Sequence, residues 1–269
     1  MYLKFKINNE LLGIFYMLLS QFSFATNDAF VKTIYLHYDE LSVFNQIIFI
    51  RGIFTLLFIM LFLYIKKELD LKKIFSSAEL VIRGMLETLA GLFFFIGIAF
   101  LPFAQVYILL SMAPILLTAL GAIFLNEKVR WRRWSAVLIG FVGVLIVINP
   151  GTLEFGYYFI FPILAAIMLS IRDMYTKNFK KNYHSLQIAF MTCFVVTTIF
   201  GLFSFYKFYD FTMRDIFVLF ISAFFLALGY IFSIATIKVA LVSATSTFRY
   251  SVILWGILYG YFLFDEVPS

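Results

Sequence analysis

One cysteine, two histidines, 15 acidic residues and no stretch in which apolar and polar residues alternate are all that this chain of 269 residues offers to soluble chemistry. Cys193 stands alone in an apolar run, so no intramolecular disulfide can form and the thiol is assigned to packing rather than redox work. His37 and His184 both fall in short loops, which leaves no histidine pair for haem or metal inside a membrane and no histidine beside a buried Ser or Cys. No metal or cofactor is expected, and an enzyme is not. Charged residues make up only 13% of the chain, against 63% hydrophobic, and no soluble interior could hide that much apolar surface. The missing alternation excludes a β-barrel. The net charge of +6 is split into short clusters between apolar runs rather than gathered in a stripe, so nucleic acid is not the partner.

What is present is a series of long apolar runs, and these read as helices because only internally hydrogen-bonded backbone tolerates a bilayer. Nine are expected, over 11–35, 42–65, 80–101, 104–126, 134–149, 155–177, 185–206, 215–237 and 239–264. Met1 to Glu10 is short and mildly basic and the run from Leu11 is too long for a leader, so the first helix is expected to be retained. With alternating spans, Lys4, Lys6, Lys66, Lys67, Lys72, Lys73, Arg83, Lys128, Arg130, Arg132, Arg133, Lys180 and Lys181 gather on one side. That side is read as the cytoplasm, in a cytoplasmic (inner) membrane, with the N-terminus inside.

Two internal echoes recur at spacings near 145 and 140 residues. Asp28-Ala29-Phe30-Val31-Lys32 returns as Asp173-Met174-Tyr175-Thr176-Lys177, and Leu101-Pro102-Phe103-Ala104 leading to Glu127 returns as Leu241-Val242-Ser243-Ala244 leading to Glu266. The chain therefore reads as two units, 1–150 with helices 1–5 and 151–269 with helices 6–9. An odd number of spans per unit inverts the second relative to the first. A tenth helix is expected beyond Ser269, so the sequence reads as truncated.

The stretches Phe22-Ser23-Phe24-Ala25-Thr26-Asn27-Asp28-Ala29-Phe30-Val31-Lys32, Arg51-Gly52, Ala113-Pro114, Phe124-Leu125-Asn126-Glu127-Lys128-Val129, Arg133-Trp134-Ser135-Ala136, Gly140-Phe141-Val142-Gly143 and Asn149-Pro150-Gly151 resemble the drug/metabolite transporter superfamily, specifically its EamA type. The resemblance covers nearly the whole chain. It implies an all-α polytopic membrane protein of two inverted five-helix repeats, bacterial, moving a small organic solute. The second copy has Leu254 where the first has Pro114, so a matched kink in the ninth helix is not expected.

Charges inside apolar runs are costly unless paired or wetted, so they should face a central cavity. Arg51 and Arg249, too deep to snorkel, are candidates to grip an anionic or zwitterionic group; the alternative is that they only neutralise Asp28 and Glu87. Asp28, Asn27, Gln105, Tyr107 and Tyr250 complete the expected substrate site, with Gln21, Ser111, Thr245, Thr247 and Ser251 as further lining. Glu87 is the candidate for proton coupling, or else an intrahelical partner of Arg83. Lys32 can bridge to Asp28 along its own helix, while Arg172, Asp173 and Lys177 are read as interfacial. Glu127 and Glu266 are read as end caps, and Gly84, Gly91, Gly140 and Gly143 as sites of close helix packing. The expected function is secondary transport of a small organic metabolite by alternating access. The alternative is a non-transporting scaffold or assembly subunit whose buried charges are structural. A small-molecule substrate and the lipid bilayer are the expected partners, and the reading leaves room for a homodimer.

Overall fold

The computed structural model describes the backbone of residues 2–124, 129–148 and 156–266, and the side chains of these except 2–8, 133, 140 and 144–148. Glu127, Lys128, Glu154 and the boundary at 150 lie outside the described residues, as do the side chains of Lys4, Lys6, Arg133 and Gly140.

Every described element is helical: α1 (Tyr2–Tyr38), α2 (Val43–Ile65), α3 (Leu71–Phe75), α4 (Ala78–Phe100), α5 (Phe103–Leu110), α6 (Ala113–Phe124), α7 (Trp131–Ile148), α8 (Ile160–Lys177), α9 (Ser185–Ser204), α10 (Met213–Val239), α11 (Val242–Thr245) and α12 (Ser251–Phe264). Among the described residues, six spans are long and apolar enough to cross a membrane: α2, α4, α5 with α6, α8 with the turn before it, α9 and α10. Each helix expected from the sequence has a counterpart. Helix α1 is longer than the rest but more polar, because Ser20, Gln21, Ser23, Thr26, Asn27, Asp28 and Lys32 ride on it, all buried. A helix that polar can sit in the centre of a membrane bundle only if protein surrounds it. Large apolar side chains such as Leu57, Leu61, Ile123, Leu202, Leu254 and Phe262 point outward instead and form the lipid-facing surface.

Helix α1 packs along α10, α2 along α9, and α4 against α8 and α9. Small residues permit these contacts, because a Cβ at Gly84 would lie 2.6 Å from that of Val195, and one at Gly52 only 2.1 Å from the Thr197 hydroxyl. The expected packing role fails at Gly91 and Gly143. A Cβ at Gly91 would make only an ordinary 3.9 Å contact, and one at Gly143 would meet nothing within 4 Å among the described residues.

Two of the expected helices, the fourth and the ninth, are broken. The fourth stops at Leu110 and resumes at Ala113, where Pro114 has no N–H to continue the ladder. The ninth opens with the short α11 and passes through a 3-10 turn, Ser246–Tyr250, before α12 begins. No proline is involved there. Thr245, Ser246 and Ser251 hydroxyls return to the carbonyls of Leu241, Ser243 and Phe248, and such local bonds compete with the helical ladder. The irregularity that Leu254 argued against is present, made by hydroxyls.

Candidate functional site

Between the broken helices and the polar face of α1 lies a cavity of about 150 Å³. Its polar lining is Gln21, Asn27, Asp28, Arg51, Glu87, Tyr107, Ser111, Arg172, Tyr230 and Arg249, and its apolar wall includes Phe24, Phe94, Phe95, Phe200 and Leu226.

One wall carries a cation and an anion held apart. Asn27 stands between them: its Oδ1 accepts from the Arg51 guanidinium at 3.0 Å, and its Nδ2 donates to Asp28 at 2.7 Å. The Ser222 hydroxyl also donates to Asn27 Oδ1, at 2.8 Å, which sets the amide's orientation. The Tyr107 hydroxyl donates to the other oxygen of Asp28 at 2.8 Å. Gly256 faces the Tyr107 ring, where a Cβ would come within 2.8 Å of it. The Arg51 guanidinium lies 5.6 Å from the Phe95 ring centre, its Nε has no hydrogen-bond partner, and no carboxylate forms an ion pair with it among the described residues.

The opposite wall is a chain of ion pairs across α4, α8 and the 3-10 turn before α12. Glu87 accepts from Arg172 at 2.5 Å and lies 3.8 Å from Arg83. Arg172 also binds Asp173 through two nitrogens, at 2.8 and 2.7 Å, and Asp173 in turn accepts from Arg249. Arg83 is completed by the hydroxyls of Thr176, at 3.0 Å, and Thr192. Taken together, four arginines (Arg51, Arg83, Arg172, Arg249) face three carboxylates (Asp28, Glu87, Asp173), so at full ionisation this buried group carries one excess positive charge. Excess buried charge is costly, and the carboxylate of a guest would find unneutralised guanidinium here.

Of the residues expected in the substrate site, Arg51, Arg249, Asp28, Asn27 and Tyr107 line this cavity, and Glu87, Gln21 and Ser111 line it too. Gln105 and Tyr250 do not. Gln105 is half-buried on α5, and the Tyr250 hydroxyl donates to the Val137 carbonyl of α7 at 2.9 Å. Thr245, Thr247 and Ser251 are likewise absent from the lining.

Arg172 and Asp173 are not interfacial. Five residues from the end of α8, Arg172 would reach headgroups if lipid surrounded it, but α4, α6 and α10 pack around α8 and leave both side chains buried. Lys32 does not bridge to Asp28 either. It is buried, lies 2.7 Å from Glu266 and sits 5.5 and 4.9 Å from the ring centres of Phe103 and Phe264. Glu266 caps a helix other than its own, accepting from the backbone N–H of Phe103 at 3.0 Å and Ala104 at 3.4 Å at the start of α5. The expected Arg83–Glu87 contact along α4 is present, though Arg172 approaches Glu87 more closely. The aromatic wall was missed because phenylalanine is so frequent in this chain that no single ring stands out.

Residues 11–149 match the model of the EamA-like transporter family. A protein of Rickettsia prowazekii named S-adenosylmethionine uptake transporter is 26% identical over 96% of this chain and 86% of its own length. An uncharacterized transporter of Helicobacter pylori is 26% identical over 96% of this chain and 88% of its own. The pseudopaline exporter CntI of Pseudomonas aeruginosa is 24% identical over 70% of this chain and 64% of its own.

Proposed function

The chain belongs to the EamA-like transporter family, as a multi-pass membrane transporter of small molecules and not an enzyme, and from this premise we propose that it carries a zwitterionic metabolite across the cytoplasmic membrane by alternating access. S-adenosylmethionine is the first candidate. The observation that carries the reading is the separated pair on the first wall. A direct Arg51–Asp28 salt bridge would neutralise itself, whereas the Asn27 spacer leaves a guanidinium and a carboxylate each able to meet a charge of the guest. An amino-acid head offers the complementary arrangement: its carboxylate goes to Arg51, which supplies paired donors, and its ammonium to Asp28. Phe24, Phe94, Phe95 and Tyr230 then offer faces to an aromatic or cationic remainder such as an adenine or a sulfonium. Arg249, already engaged by Asp173, takes a secondary place in the site. The names of the Rickettsia relatives support this substrate class.

Alternating access is supported by the packing. Helix α1 lies on α10 and α8 on α4, the reciprocal exchange expected if 1–150 and 151–269 are inverted copies of one unit. Both breaks, at Ser111-Met112 and Ser246–Tyr250, border the cavity, where unwound backbone is tolerated in a membrane protein. The clustering of Lys and Arg supports a cytoplasmic N-terminus. Glu87, which lines the cavity beside Arg172, keeps the proton-coupling role in this reading. Uptake indifferent to a pH gradient in wild type and Glu87→Gln alike would remove that role. A scaffold reading is disfavoured, because a polar cavity is present where mutual pairing of every charge would have closed one.

The test is uptake of labelled S-adenosylmethionine into proteoliposomes by wild type and by Arg51→Ala. Loss of a charge-assisted contact of about 1.5–3 kcal/mol corresponds to roughly 10- to 150-fold weaker apparent affinity. Equal affinity in a folded Arg51→Ala protein would remove Arg51 from the site.

A further inference from the structure

A second recess, of about 290 Å³, lies at the opposite end of α8 from its start, among the α8–α9 loop and the end of α10. Lys177, Lys180, Lys181 and Lys238 line it together with Asn182 and Tyr183, and no carboxylate is in the lining. Membrane topology accounts for lysines at this end of the bundle, but it does not account for how they are held. Lys73, from α3, donates to the Asn182 carbonyl at 2.9 Å, and Lys238, from the end of α10, donates to the carbonyl of the next residue, Tyr183. Two ammoniums from distant parts of the chain are thus anchored on consecutive carbonyls. Tyr183 is itself buried, with its hydroxyl 2.7 Å from that of Ser77 and its ring 5.4 Å from the Lys73 ammonium, so the anchor is rigid.

Each ammonium has three donors, and Lys73 and Lys238 each give one to a carbonyl. The remaining donors of Lys238, with the exposed Lys180 and Lys181, belong to a recess whose lining includes no carboxylate. Two acids border the recess without lining it: Glu68, 3.1 Å from His184, and Glu79, which accepts from the Lys180 backbone N–H at 3.0 Å. Lys177 turns its ammonium to the carbonyls of Ile237, at 2.5 Å, and Ala240, at 2.8 Å, and is not part of the anion cradle.

The recess also has a defined depth. It lies where the spans α8 and α10 end, at Lys177 and Val239, which is the level of the lipid headgroups. The short helix α3 beside it exposes Leu71 and Phe75 and carries Lys72 and Lys73, the composition of a segment lying in the interface.

We propose that this recess binds the phosphodiester headgroup of an anionic phospholipid, with Lys180, Lys181 and Lys238 as its charged ligands and Lys73 buttressing the loop. Basic pockets between membrane helices suit such headgroups, each lysine contributing about fivefold in affinity near an anionic surface. Nothing in the proposal depends on which solute the central cavity carries.

The experiment is thermal unfolding of the full-length protein in neutral detergent, titrated with phosphatidylglycerol, phosphatidylcholine or inorganic phosphate. Phosphatidylglycerol should raise the midpoint saturably, while phosphatidylcholine and inorganic phosphate should not. Combined K180Q, K181Q and K238Q should weaken the phosphatidylglycerol response on the order of a hundredfold. Combined K66Q, K67Q and K72Q removes the same charge from exposed positions outside the recess and should change it less than about threefold. Should the first triple variant fail to fold, K181Q and K238Q singly should each cost about fivefold. A phosphatidylcholine or phosphate response equal to that of phosphatidylglycerol, or equal losses in the two sets of variants, would overturn the proposal.

Discussion

Replacing Asp173 by Asn asks whether carboxylates hold the buried charge chain together. Asp173 is fully buried and accepts from both Arg172 and Arg249, and the change keeps its shape while removing its charge. Arg172 retains Glu87 at 2.5 Å, but Arg249 has no second carboxylate in ion-pair contact among the described residues. One guanidinium is orphaned rather than two, so the expected loss of stability is that of breaking a single buried pair, about 3–5 kcal/mol. Glu87→Gln orphans none, because Arg172 keeps Asp173 and Arg83 keeps Thr176 and Thr192. Its cost should be nearer that of one charged hydrogen bond, about 1.5–3 kcal/mol. The protein carries its own reporter for the measurement. Cys193 is its only thiol and is buried, so a thiol-reactive fluorophore labels the chain as it unfolds in detergent. Adding Arg249→Gln to Asp173→Asn should recover part of the loss by removing the orphaned cation. An Asp173→Asn protein within about 1 kcal/mol of wild type, or one less affected than Glu87→Gln, would refute the reasoning.

Gly84→Val should destabilise by about 1–3 kcal/mol or more, since even its Cβ would stand 2.6 Å from that of Val195; unchanged unfolding would mean that α4 and α9 are not in contact there. At the far end of α1, Glu266→Gln should cost more than Lys32→Met. The first leaves a buried ammonium against two aromatic rings, whereas the second leaves a half-buried carboxylate still bound by the N–H groups of Phe103 and Ala104, and the reverse order in the same assay would contradict the contact. In the loops, Lys207 and the Tyr209 hydroxyl hold the Glu40 carboxyl below its usual range, and Glu40 raises the Lys207 ammonium. The depressed acid contributes above the ordinary carboxylate range and is lost as pH falls through its lowered folded value. The raised base contributes below the ordinary lysine range and is lost only above it. Between these limits Glu40→Gln should shift the melting temperature by a small amount that is independent of pH, because the pair is exposed. A difference that changes between pH 6 and 9 would assign another partner to Glu40.

Much of the fold was legible because membrane helices announce themselves by length and hydropathy, and the structure differs from the sequence-derived limits mainly at the ends. The break before Pro114 could be anticipated from a missing N–H. Its counterpart near Ser246 could not be read from proline, although the density of Ser and Thr between 243 and 251 was a visible signal. In the cavity, Arg51, Asp28, Asn27 and Tyr107 were marked by polarity in apolar runs. Arg172 and Asp173 were misjudged because distance from a helix end was equated with distance from lipid, and the protein packed around α8 removed that equivalence. Gln105 and Tyr250 stand outside the cavity lining, since polarity in an apolar run does not say which face of the helix a residue takes. The partner of Lys32 was hidden because Glu266 is 234 residues away, and only the folded chain brings α12 to the start of α5.

The central claim is that Arg51 and Asp28, kept apart by Asn27, recognise the two charges of a zwitterionic head. Equilibrium binding of S-adenosylmethionine and of its analogue lacking the carboxylate, each to wild type and to Arg51→Ala, tests it by a double-mutant cycle. The account predicts that wild type discriminates against the analogue by at least about tenfold and that Arg51→Ala binds both ligands alike. Wild-type protein that does not distinguish the two, or discrimination that survives in a folded Arg51→Ala protein, would contradict it.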